Sequence, residues 1–190
     1  MSIILASQSP RRRELLSMLG VENLKIIPAV SEERAPEGAS PADTVKALAM
    51  AKATEVLEKA APGDIVIGAD TIVSIDGAIL GKPKSEAEAF DMLSRLSGRT
   101  HTVYTGVAVL SGNERSNEVE ATEVTFRSLT EREILAYIAT GEPMDKAGAY
   151  GIQGKGSLLI SGIKGDYFNV VGLPLNLLGQ MLSGFGHSLL

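Results

Sequence analysis

Ile65-Val66-Ile67-Gly68-Ala69 is a short, continuous apolar run that passes directly into Asp70 and Thr71. A strand without alternating polar positions is a buried central strand, and such strands belong to sheets covered by helices. Ligands of open α/β sheets bind outside the carboxyl ends of their strands, which makes Asp70 a functional candidate. A turn-forming aspartate is the plainer reading. However, Ile72-Val73-Ser74-Ile75 continues the extended pattern, and turn chemistry waits until Asp76-Gly77. Asp70 is therefore a charge inside an extended run.

The opening stretch, from Ile3 to Leu16, reads as a strand, a tight turn and a helix start. Ser9 is a natural N-cap and Pro10 a natural first helical residue. Arg11, Arg12 and Arg13 follow at once, facing the positive end of the helix dipole at a cost of roughly 0.3–1 kcal/mol per exposed charge. Backbone N–H groups, the hydroxyls of Ser7 and Ser9 and guanidinium forks together suit a phosphate. A solvated basic patch is the competing reading. Helical spacing sets Arg12 on the stripe of Leu15, Leu16 and Leu19, and Arg11 one turn before Leu15, whereas Arg13 lines up with Ser17 and Gly20. The expectation is that Arg11 and Arg12 bind an anion and Arg13 lies on the surface.

A second strand is expected over 24–30, running into Glu32 and Glu33. Ser40-Pro41 opens a long helix to about residue 60, with Lys52 in the middle of the stripe of Val45, Leu48, Ala49 and Val56. That lysine either snorkels to solvent or points into a site. Gly81-Lys82-Pro83-Lys84 forms a basic loop before a helix with a capping box, Ser85 with Glu88, that closes at Gly98. Strands follow over 101–110 and 118–127, and a second capping box pairs Thr130 with Glu133. From Gly141 to Asn169 the chain is a glycine-rich loop with a short strand over 158–160, in keeping with an ordered binding loop. A last helix begins around Pro174, and His101 reads as a solvated residue just past a helix end.

At 190 residues the chain reads as a single domain, 1–190. The net charge of −5 argues against a non-specific nucleic-acid binder, so any anion must be met by a local cluster. No apolar run approaches a membrane span, and the N-terminus lacks the order of a signal peptide. With no cysteine, thiolate zinc sites and thiol nucleophiles are excluded, in keeping with a cytoplasmic protein. The remaining chemistry is carboxylates (Glu32, Glu33, Asp70) with cations (Arg11, Arg12, Lys52, Lys82, Lys146). Hard oxygen ligands suit Mg²⁺ or Mn²⁺, and cations spread over several segments suit a polyphosphate. The reaction class is metal-assisted attack of water on phosphorus, with a carboxylate orienting or deprotonating the water.

Ser7-Gln8-Ser9-Pro10-Arg11-Arg12, Gly68-Ala69-Asp70-Thr71, Gly81-Lys82-Pro83, the run from Glu142 to Gly154 and Gly165-Asp166-Tyr167 to Gly172-Leu173-Pro174 resemble the Maf family, in order and across nearly the whole chain. The resemblance implies an α/β fold, a mixed twisted sheet with flanking helices in an inosine-triphosphatase-like (Maf/Ham1-type) architecture with a central cleft. It implies a nucleoside triphosphate pyrophosphatase with a house-cleaning role, dependent on a divalent cation, cytoplasmic and often homodimeric. Carried over, Asp70 is the proton acceptor, and Arg11, Thr71 and Gln153 set substrate choice. Ser7, Arg12, Glu33, Lys52 and Lys82 match further active-site positions, Glu33 with Asp70 as metal ligands.

The intact segment from Asp145 to Gly154 resembles the branch acting on dTTP and UTP rather than on 7-methyl-GTP. Uracil and thymine offer an N3–H donor beside an O4 acceptor, which one side-chain amide such as that of Gln153 pairs with both ways. Where many members carry Asp-Glu this chain has Glu32-Glu33, leaving the second metal carboxylate open between the two. Two other readings remain: a non-catalytic nucleotide-binding regulator of septum formation, and a phosphomonoesterase.

Overall fold

The computed structural model describes residues 1–21, 23–31 and 34–190. Among them, seven strands form one mixed sheet: β1 (Ile3–Leu5), β2 (Leu24–Ile26), β3 (Ile65–Ile75), β4 (Ala78–Leu80), β5 (Thr100–Ser111), β6 (Glu114–Phe126) and β7 (Ile160–Lys164). The helices are α1 (Pro10–Met18), α2 (Pro41–Leu57), α3 (Glu86–Leu96), α4 (Glu131–Ile138), α5 (Tyr167–Val171) and α6 (Leu175–Gly184). In hydrogen-bonded order the sheet reads β2-β1-β3-β5-β6-β7, with β4 paired to β3 off that path. β1 runs parallel to β2 and β3, whereas β4 is antiparallel to β3 and β7 to β6.

β3 continues unbroken through Asp70, as the extended pattern requires. It turns only at Asp76 and Gly77, whose φ values of 53° and 76° are those of a tight hairpin turn. Ser9, Ser40 and Thr130 cap their helices through side-chain oxygens, Thr130 with the full reciprocal box. At α3 only half of the expected box forms. Ser85 accepts from the Glu88 N–H, but the Glu88 carboxylate takes the Lys84 N–H instead.

Other boundaries moved. β2 stops at Ile26 rather than residue 30: Ile27 N still donates to Leu5 O, but Pro28 has no N–H to extend the ladder. β6 starts at Glu114, because Gly112 and Asn113 alone make the turn. β7 lies later than the expected 158–160. The short helix α5, absent from the sequence reading, is nucleated by Asp166, whose carboxylate accepts the N–H groups of Phe168 and Asn169.

Packing divides the chain into two compact units: residues 1–70, 105–120 and 172–190, and residues 71–104 with 121–171. In the first, Ala49, Ala53 and Val56 of α2 pack with Ile4, Val66 and Ala108. α2 comes so close to the sheet that a Cβ on Gly68 would lie 2.2 Å from the Ala49 carbonyl oxygen, and one on Gly106 2.3 Å from that of Val45. In the second, Leu93 and Leu96 of α3 and Ile134 and Ile138 of α4 pack with Val73, Val103, Val124 and Phe126.

Candidate active site

In the first unit Lys52 turns toward Asp70 rather than out to solvent. Its Nζ lies 2.6 Å from Asp70 Oδ1, with the two side chains 16% and 10% exposed. The helical stripe of α2 carries the lysine toward β3, and β3 holds the carboxylate in mid-strand. An ion pair so nearly buried leaves an uncompensated charge if either partner is removed.

Arg12 is buried, as its place on the apolar stripe requires, and Arg13 is exposed. The Arg12 guanidinium joins three segments. Its Nε donates to Gly172 O at 2.7 Å, and its Nη1 to Ala69 O at 2.9 Å and Ser7 Oγ at 3.1 Å. Ser7 Oγ also accepts from the Ser9 N–H, and Ser9 Oγ caps the helix by accepting from Arg12 N. Arg11 is half-buried in the first turn of α1. Ser7, Ser9, Arg11, Arg12, Lys52 and Asp70 thus all belong to one compact unit, and Arg12 bonds directly to the residue before Asp70.

Glu32 and Glu33 lie outside the described residues. Immediately before them, Val30 N and Ser31 N donate to the two oxygens of Glu55, at 2.9 and 3.0 Å. Those backbone donors hold the Glu55 carboxyl down at about 2. Sequence reasoning missed Glu55, since nothing in its spacing on α2 marks it off from a solvated face. Among the described residues no three His, Asp or Glu side chains cluster to hold a metal. Mg²⁺ takes hard oxygen donors, and the Asp70 carboxylate, with Oδ1 on Lys52 and a second oxygen beside it, is a donor of that type.

The second unit holds Thr71, Lys82 and Gln153. Thr71 is half-buried on β3, while Lys82 and Gln153 are exposed. The Lys82 loop is tied to the glycine-rich segment by the Gly148 N–H, which donates to Gly81 O at 3.0 Å. Gly148 has φ 68°, and a Cβ there would lie 2.8 Å from a Val73 methyl, so that crossing requires glycine. Lys146 donates to Glu142 O at 2.6 Å and Asp145 Oδ1 at 2.7 Å, so it ties down its own loop.

His101 corrects the sequence reading. It is 2% exposed, with Nε2 2.7 Å from the Tyr150 hydroxyl and its ring edge-on to Phe126 and Tyr150. Alternation along β5 turns it inward, and burial pushes its imidazole down to about 4. Burial likewise raises the Tyr150 phenol above its ordinary value.

The fold, a mixed seven-stranded sheet with flanking helices, is of the α/β class; the solved Ham1 protein of Staphylococcus aureus matches it with a TM-score of 0.56 at 15% identity, over 97% of this chain and 99% of that one. The family model described as Maf-like protein matches residues 2–185, and the chain belongs to that family. A dTTP/UTP pyrophosphatase of Symbiobacterium thermophilum is 54% identical over 97% of this chain and 94% of its own length. A dTTP/UTP pyrophosphatase of Bacillus cereus (strain ZK / E33L) is 54% identical over 96% of this chain and 95% of its own. No helix among the described residues is long and apolar enough to cross a membrane.

Proposed function

We propose that this chain is a nucleoside triphosphate pyrophosphatase that hydrolyses dTTP and UTP to the monophosphate and pyrophosphate. The observation that carries the reading is Asp70, a carboxylate in the interior of β3 held 2.6 Å from Lys52. Its support from kinship is the name and near-complete overlap of the 54% identical relatives. Water attacks the α-phosphorus; a new P–O bond forms as the bond to the bridging β-phosphate oxygen breaks, and pyrophosphate leaves with that electron pair. Asp70 takes the proton from the water, while Lys52 holds the carboxylate in place and offsets charge on the phosphates.

Arg11, Arg12, Ser7 and Ser9 are assigned to the phosphates, where Arg12 also holds the Ser7 hydroxyl. Lys82 is a further cation for the triphosphate, and Thr71 and Gln153 choose the base. A divalent cation, Mg²⁺ or Mn²⁺, would be held by Asp70 and Glu33 with phosphate oxygens, and would supply charge neutralisation at the reacting phosphate. A cytoplasmic location and a homodimeric state belong to the same proposal.

The test is a panel of dTTP, UTP, CTP and 7-methyl-GTP with Mg²⁺ or Mn²⁺, following products. Pyrophosphate release from dTTP and UTP is expected. Inorganic phosphate as first product, or turnover of 7-methyl-GTP in preference to both, overturns it.

A further inference from the structure

Gln153 is exposed, and its side chain has no hydrogen-bond partner among the described residues. What the fold fixes is therefore the place from which its side chain starts, and that is set by its backbone. That backbone is held on both sides by one pair of residues from outside the turn. Before Gln153, the Gly151 N–H donates to the Tyr137 hydroxyl oxygen at 3.2 Å. After it, Lys155 N donates to Glu142 Oε2 and Gly156 N to Glu142 Oε1, both at 3.0 Å. The Tyr137 hydroxyl closes the set by donating to Glu142 Oε1 at 2.9 Å.

The glycines around Gln153 are shaped to this pair. A Cβ on Gly156 would lie 2.7 Å from the Tyr137 hydroxyl and 2.2 Å from Gly151 O. One on Gly154, where φ is 66°, would lie 2.8 Å from Glu142 Oε2. Burial opposes ionisation of Glu142, but the N–H groups of Gly156 and Lys155 and the Tyr137 hydroxyl outweigh it, so its carboxyl titrates below the usual range. The acceptor is thus an anion at neutral pH, the stronger form for holding two backbone donors.

We propose that Tyr137 and Glu142 are positioning residues for base selection: they clamp the turn over 151–156 so that the Gln153 backbone is held in one place, from which the side-chain amide reaches the base and is registered by pairing with it. This rests on the reading of Gln153 as the residue that reads the base. A side-chain amide discriminates uracil from cytosine only while its donor and acceptor stay registered to N3 and position 4 of the ring. Neither Tyr137 nor Glu142 need touch the nucleotide.

The experiment compares kcat/KM for UTP with that for CTP, on the full chain, for Glu142→Ala, Glu142→Gln, Tyr137→Phe, Gln153→Ala and the Glu142→Ala/Gln153→Ala double variant. The expected result is that Glu142→Ala and Gln153→Ala each lower the UTP preference by about tenfold or more, and that the double variant goes no lower than the single ones. Glu142→Gln, which still accepts one N–H, restores part of the preference, and Tyr137→Phe loses less than Glu142→Ala.

If Gln153→Ala collapses the preference while Glu142→Ala and Tyr137→Phe slow both substrates equally or only lower Tm, the clamp is overturned and the reading of Gln153 stands. If Gln153→Ala leaves the preference unchanged, the reading of Gln153 itself fails, and the clamp with it. Should Glu142→Ala not fold, Tyr137→Phe, which removes a single oxygen, decides the matter by the same ratio.

Discussion

The two units hold the side chains proposed for function in opposite ways. In the first, Lys52 and Asp70 stand on a helix and a strand, and each is fixed by its own element and by the other's charge. In the second, Gln153 stands on a turn of glycines and is placed through backbone N–H groups held by Tyr137 and Glu142. A proton acceptor has to be held against a reacting atom, and regular elements hold it well. A side chain on a loop has no such frame of its own, and its backbone has to be held by bonds from elsewhere, as Tyr137 and Glu142 do here.

The sharpest way to break this contrast is Asp70→Asn. The variant keeps the shape of the side chain and loses the proposed base, so pyrophosphate release should fall by about 10²–10⁴-fold while nucleotide binding, followed by calorimetry, survives. Wild-type turnover would remove Asp70 from the chemistry and leave the pair with Lys52 as a structural bridge.

Next in size is Gly68→Ala, which tests whether the first unit depends on rigid close packing. The added methyl meets the backbone of α2 at Ala49 and Ala53, where no flexible side chain can give way. A loss of about 3 kcal/mol is expected by urea unfolding, with Lys52 moved off Asp70 and activity reduced. Unchanged stability would show that α2 shifts freely.

The smallest effect sharpens the other side. Burial holds His101 neutral down to about 4, below its ordinary value of 6.5. Because the folded-state pKa is depressed, its contribution is fully present above 6.5 and is lost as pH falls toward 4. Between pH 7 and pH 4.5 that loss amounts to about 2 kcal/mol. His101→Gln should flatten this part of the stability profile. An unchanged slope would mean the buried imidazole is not what titrates.

Much of this was legible because it is local. A serine before a proline caps a helix wherever it occurs, and Asp76-Gly77 makes a tight turn by dihedral preference alone. The same logic located Asp70 inside a strand. Glu88 was misread because two backbone N–H groups, those of Lys84 and Ser85, compete for one carboxylate, and sequence does not rank them. His101 was misread because distance from a helix end says nothing about which strand face turns inward.

By itself the sequence determined the helix starts, the central strand, the turn chemistry and the arginine that lies on an apolar stripe, since each depends on residues a few positions apart. Tertiary structure alone decided that Lys52 points at Asp70, that Arg12 ties Ala69 to Gly172, and that Glu142 and Tyr137 hold the turn around Gln153. The physical reason is that a charge or hydroxyl leaving water takes whichever partner packing brings within hydrogen-bond reach, and packing joins residues that the chain keeps far apart.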